Sequence, residues 1–240
     1  MVLLLIFSPA VALGYRPFVS TDAAVADFKE MEIELGYFNL EREKGRTTFI
    51  VPKAVLNYGL IQNLELVGEF AVEEPTRGSA RLADAALSMK AVLKEGVLQE
   101  KSGISFAVEA GPLLPFTNKE EKRFGFEGIG IVSGKLRALT YHLNFGGGLD
   151  RRQSNPFVLW GVIAELPLVE KLRLVGEING ESVRGKTPDN SALLGFIWKS
   201  PWRNISLDAG LRRGISRAAA DWIFTTGLTF NFSLATISRK

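Results

Sequence analysis

Apolar and polar residues alternate along most of this chain, so its dominant period is two rather than 3.6. In "EMEIELGY", Met31, Ile33, Leu35 and Tyr37 alternate with Glu30, Glu32, Glu34 and Gly36. In "LADAALSMKAVL", Ala83, Ala85, Leu87, Met89, Ala91 and Leu93 alternate with Asp84, Ala86, Ser88 and Lys90. "LTYHLNFGGGL" and "WIFTTGLTFNFSL" repeat the pattern with larger side chains. Successive side chains of an extended strand point to opposite faces, so each run is a strand with one apolar and one polar or small face.

The pattern predicts an all-β chain of about twelve strands, each roughly 10–14 residues, against about 5–6 in ordinary soluble sheets. The expected spans lie near 30–40, 48–59, 63–73, 81–93, 103–114, 124–135, 138–149, 156–166, 171–182, 191–199, 204–212 and 220–234. The span 124–135 is glycine-rich, and 156–166 ("PFVLWGVIAEL") is apolar on both faces. One set of connectors is polar and charged: "EREKGRT", "EEPTRGSA", "TNKEEKR", "DRRQSN", "SVRGKTPDN" and "RRGISRAA". The alternate set is mostly short: "LIQN", "RA", "LVEK" and "SPWR". Long loops at one end and tight turns at the other describe a single antiparallel transmembrane β-barrel. An even strand count places both termini on one side, expected to be the periplasm. "KEGVLQEKS" departs from the rule, being a long connector among the short ones.

Two stretches, "NLELVGEF" and "KLRLVGEI", each carry a glutamate in mid-strand: Glu69 and Glu177. In a barrel the leucines of these stretches face lipid, while Glu65, Val67 and Glu69, or Arg173, Val175 and Glu177, face the lumen. A carboxylate is expensive in lipid but can stay hydrated or paired inside. A soluble sandwich or lipocalin-like barrel has the same periodicity with the faces exchanged. Strand length and the asymmetry of the connectors favour the membrane.

Composition removes several functions. The chain has no cysteine and one histidine, which excludes thiolate catalysis, disulfides and multi-histidine metal centres. The net charge of +3 is small and no basic stripe is interleaved with aromatics, so nucleic acid is not an expected partner. Residues 1–14, "MVLLLIFSPAVALG", form an apolar run too short to cross a bilayer. It ends in Ala10-Val11-Ala12, the small-x-small pattern of a signal peptidase site. The expected organisation is a signal peptide at 1–14, a periplasmic or lumen-entering segment at 15–29, a barrel at 30–234 and a tail at 235–240.

The last strand carries Thr225-Thr226-Gly227-Leu228-Thr229-Phe230-Asn231-Phe232. This resembles the signal by which outer-membrane barrels engage their assembly machinery, here through Gly227, Phe230 and Phe232. "YRPFVSTDAAV", with Arg16, Pro17, Phe18, Thr21, Asp22 and Ala23, resembles the opening of the outer-membrane barrel family labelled "MetA-pathway of phenol degradation", a transporter family. "VPKAVLNYGLIQNLELVGEF", "LADAALSMKAVL" and "AGPLLPFT" are similar to it as well. The resemblance implies an outer-membrane barrel that moves small, often hydrophobic, compounds.

Candidate lumen-lining residues follow from the strand pattern: Glu34, Lys53, Glu65, Glu69, Asp84, Lys90, Glu109, His142, Arg173, Glu177, Asp208 and Arg212, with Glu32 beside them. They either set selectivity or pair across strands and fill a narrow interior. Twelve strands lie between filled eight-stranded barrels and open sixteen-stranded porins. Arg16 and Asp22 are candidates for a plug at the barrel mouth. His142 invites comparison with lipid-hydrolysing barrels, but the residue two beyond it is Asn144, which is no nucleophile. The glycines of "FGFEGIGI" and "FGGGLD" lack the strand–loop–helix context of phosphate loops. The expected function is a passive channel for small solutes, with no catalytic residue, metal or cofactor. A blocked structural or surface-binding barrel and a lipid hydrolase are the alternatives.

Overall fold

The computed structural model describes residues 16–115, 121–201 and 204–233. Twelve strands follow one another: β1 (Glu30–Glu43), β2 (Arg46–Ile61), β3 (Leu64–Pro75), β4 (Arg81–Lys94), β5 (Ser105–Leu113), β6 (Gly125–Leu136), β7 (Leu139–Leu149), β8 (Pro156–Val169), β9 (Leu172–Val183), β10 (Asp189–Lys199), β11 (Ile205–Gly214) and β12 (Trp222–Ser233). Each pairs antiparallel with its neighbours in sequence, and β12 returns to β1, so the sheet closes with no free edge. Closure satisfies the whole backbone within the wall, which is the condition for crossing a bilayer with strands.

The alternation decides what faces where. Phe145 is 69% exposed and Leu194 62%, whereas Glu177 is 2% exposed and His142 1%. Apolar side chains stand outside and ionisable ones inside, the reverse of a soluble barrel. Such an exterior is removed from water only by lipid. This settles the choice of faces that periodicity leaves open.

Three features depart from the expected spans. The connector "EREKGRT" is mostly strand: β1 runs to Glu43 and β2 starts at Arg46. Only Lys44 and Gly45 turn, both with positive φ (46° and 80°), the backbone of a tight two-residue hairpin. A bulge between Leu35 and Phe38 leaves Tyr37 and Phe38 both outside and turns Asn39 back into the lumen. Phe38 there meets the ring edges of Phe49 and Phe224. The irregular connector "KEGVLQEKS" folds as a 3-10 turn, Val97–Gln99, that reaches the lumen. The expected leader (1–14), Tyr15, the end of "AGPLLPFT" and the tail 235–240 lie outside the described residues.

Candidate functional site

Residues 16–29 run through the barrel interior before the chain enters β1. The segment mixes polar and apolar residues without the periodicity of a strand or helix, and its backbone groups need partners from the wall. Ser20 N–H donates to Glu177 Oε1 at 2.7 Å, and Val19 N–H donates to the same carboxylate. Thr21 N–H donates to Asn144 Oδ1 (3.0 Å) while Asn144 Nδ2 donates to Thr21 O (2.7 Å), so one amide side chain serves as a substitute strand. Ala23 N–H donates to Ser133 Oγ at 3.0 Å and Ala26 N–H to Glu65 Oε2 at 2.6 Å. Lys29 N–H then reaches Gly59 O at 2.9 Å, beside the start of β1. The strap thus touches β9, β7, β6, β3 and β2 in turn.

Its ends and middle are held by charge. Arg16 is 8% exposed, forms an ion pair with Asp208 (3.4 Å) and donates to Thr225 Oγ1 (2.6 Å). The wall leaves room for it: a Cβ on Gly227 would lie 2.1 Å from Arg16 Nε, and one on Gly36 2.6 Å from Arg16 Nη1. Gly227 therefore has a steric role in the lumen, while Phe230 and Phe232 stack outside. Asp22 lies 3.5 Å from Lys90 Nζ, which also approaches Glu65 (3.6 Å) and donates to Thr21 Oγ1. Arg212 pairs with Glu177 and donates to Ser191 and Asn179. Gln99, from the irregular connector, donates to Ala23 O (2.8 Å), and Leu98 packs on the buried trio Ala23, Ala107 and Ile131. The long connector thus holds the strap from the short-turn end.

His142 sits in a line of four side chains. Ser133 Oγ is 2.7 Å from His142 Nδ1, His142 Nε2 is 3.2 Å from Glu165 Oε1, and Arg173 Nη1 is 2.6 Å from Glu165 Oε2. With Ser133 Oγ accepting from Ala23, its hydroxyl donates to Nδ1, which fits the tautomer carrying its proton on Nε2. A serine, a histidine and a carboxylate are in contact, as nucleophilic catalysis requires. Ser133 and His142 are 0% and 1% exposed, and neither lines the open lumen. The serine lies on the neighbouring strand β6, and not on β7 itself two residues beyond His142, where Asn144 stands. The two-residue turn Arg137–Ala138 was the available signal, because it fixes the register that pairs Ser133 with His142.

Beside the strap lie a cavity of about 1640 Å³ and a smaller one of about 440 Å³ that Val19, Ser20, Asn179 and Arg212 help to line. The larger one reaches both ends of the barrel. Gln62, Asn63 and Glu95 line it at the short-turn end, and Asp150, Lys186 and Asp189 at the long-loop end. Glu32, Glu34, Lys53, Glu69, Asp84 and Glu109 line it between. The predicted residues thus divide into two sets. Arg16, Asp22, Glu65, Lys90, His142, Arg173, Glu177, Asp208 and Arg212 form or support the strap's seat. Lys53, Glu69, Asp84 and Glu109 face open space, and Glu34, 3% exposed, lies between the two and accepts from Asn57 (3.2 Å). Among the described residues no group of three or more His, Cys, Asp or Glu is arranged to hold a metal.

No protein-family model matches the sequence, and no curated protein matches it. Among solved structures the barrel is similar to the NanC porin, with a TM-score of 0.58 at 7% identity, over 83% of this chain and 98% of that one. It also matches OmpTdeltaL8, the loop L8 deletion mutant of the outer-membrane protein OmpT of Vibrio cholerae (TM-score 0.41, 12% identity, 88% of this chain and 100% of that one). A third match is the translocator domain of the autotransporter NalP from Neisseria meningitidis (0.40, 10%, 89% and 90%). At these identities the likeness is one of fold, and the NanC porin carries it. The chain is a twelve-stranded barrel of the outer-membrane class.

Proposed function

We propose that this barrel is a passive channel for small water-soluble solutes, narrowed by its own N-terminal segment. The observation that carries the reading is the larger cavity, lined from both ends of the barrel alongside the strap. The resemblance to the transporter family named above points the same way, but this polar wall suits hydrated solutes better than the hydrophobic ones that family suggests. The buried serine–histidine–glutamate line is read as a support for the strap rather than as a hydrolase, since Ala23 covers its serine. Gly227, Phe230 and Phe232 retain their proposed part in assembly.

A second reading, a blocked barrel, is favoured by the number of backbone N–H groups that the wall binds. Single-channel recording in planar bilayers separates the two. Discrete conductance steps from the intact chain support the channel, and a silent barrel that reaches the bilayer folded supports the block. The proposed orientation puts the long loops outside the cell. A cysteine at Arg184 is then labelled on intact cells by an impermeant thiol reagent, and one at Gln62 is not. Equal labelling would reverse or abolish that orientation.

A further inference from the structure

We propose that the open part of the lumen is a cation-attracting path, its sign set by six carboxylates that line it on two arcs of the wall: Glu69, Asp84, Glu109 and Glu127 on one, Glu181 and Asp189 on the other. The proposal rests on the channel reading and gives it a solute class, small cations in preference to anions. The six come from β3, β4, β5, β6, β9 and β10 and all line the cavity. Glu181 and Asp189 are direct partners in the β9–β10 register. Glu109 and Glu127 are one inward-facing step apart across β5 and β6, whose partners are Ile129 and Gly111. Like charges placed so closely repel and destabilise a sheet.

Elsewhere in the same lumen three buried carboxylates each meet a cation: Arg212 meets Glu177, Arg173 meets Glu165 and Lys90 meets Glu65. None of the six is in an ion pair with a described residue. The imbalance extends to the whole cavity, whose lining holds sixteen acidic residues against seven basic ones. Five of those seven bases already pair with carboxylates: Arg16, Lys90, Lys101, Arg152 and Lys186. The other two, Lys53 and Arg151, stand among the six, Lys53 near Glu69 and Arg151 near Glu127 and Glu181. The chain as a whole carries +3, so the acidity of the lumen reflects placement rather than composition. Fixed charge inside low-dielectric walls focuses its field along the path, and rings of Asp and Glu select cations in this way.

The absence of cysteine makes the test direct. Ala86 lines the cavity opposite Glu69 in the β3–β4 register, so Ala86→Cys places the chain's one thiol among these carboxylates. Its reaction rates with a trimethylammonium and a sulfonate methanethiosulfonate are compared at low ionic strength and pH 8, each relative to a free thiol. The expected preference for the cationic reagent is about tenfold or more. It should collapse towards the free-thiol value in the Glu69→Gln, Asp84→Asn, Glu127→Gln background, and in high salt. A preference unchanged by these substitutions overturns the proposal. The reagents need entry from one end only, so the rates report the field even in a barrel that does not conduct. Silence in planar bilayers with a charge-dependent preference sinks the channel reading and leaves the assignment of the field. Conductance with equal rates for both reagents does the opposite.

Discussion

"NLELVGEF" in β3 and "KLRLVGEI" in β9 occupy matching places in their hairpins, yet their central glutamates do different things. Glu177 is 2% exposed, accepts the N–H groups of Val19 and Ser20, and pairs with Arg212. Glu69 lines the open cavity and has no such partner among the described residues. The strap explains the difference because it crosses the lumen on a slant. It passes β9 at Glu177, the sixth residue of that strand, and has descended to Glu65, the second residue of β3, on the opposite side. The same strand pattern therefore supplies a seat where the strap passes and an open wall where it does not.

Separating the two glutamates is the sharpest way to test that contrast. Glu177→Ala leaves Arg212 buried without its carboxylate and is expected to cost about 3–5 kcal/mol. Glu69→Ala removes no partnered group and is expected to cost about 0.5 kcal/mol or less. Urea unfolding of both variants in lipid vesicles measures the gap, and equal losses would mean that the two positions are equivalent after all.

The outer faces of the same stretches should not differ. Phe70 and Ile178, which follow the two glutamates, both point to lipid, Ile178 being 49% exposed. Phe70→Arg and Ile178→Arg are each expected to cost about 2–4 kcal/mol if the residue lies near the bilayer midplane. The readout is the yield of folded, heat-modifiable barrel. A large loss at one position only would show that the two strands sit at different depths.

A smaller effect is expected at the glycines. A Cβ at Gly59 would lie 2.0 Å from Asp27 O, against the backbone of the strap, whereas one at Gly68 meets nothing within 4 Å. Gly59→Ala should cost about 1–3 kcal/mol through overpacking and should expose residues 16–29 to added protease. Gly68→Ala, within the repeated stretch itself, should leave both stability and protease resistance unchanged. Resistance in the Gly59 variant would mean that the strap gives way without leaving the wall.

Sequence alone determined the wall. A period of two states which side chains share a face, and alternating long and short connectors state that neighbours pair antiparallel, so twelve paired strands follow from local pattern, while the exposures of the closed barrel decide that the apolar face is the outer one. That the candidate carboxylates share the polar face of their strands was legible for the same reason. Local pattern has no information about what fills the interior. Residues 16–29 lack periodicity, and their partners Asn144, Ser133 and Glu65 lie 39 to 123 residues away in sequence. Their meeting depends on the closure of the barrel and on the register of each hairpin, which together fix height and angle around the lumen. Only the tertiary structure could make Glu177 a clasp and leave Glu69 facing water, because burial and pairing belong to the assembled interior and not to the strand that presents the side chain.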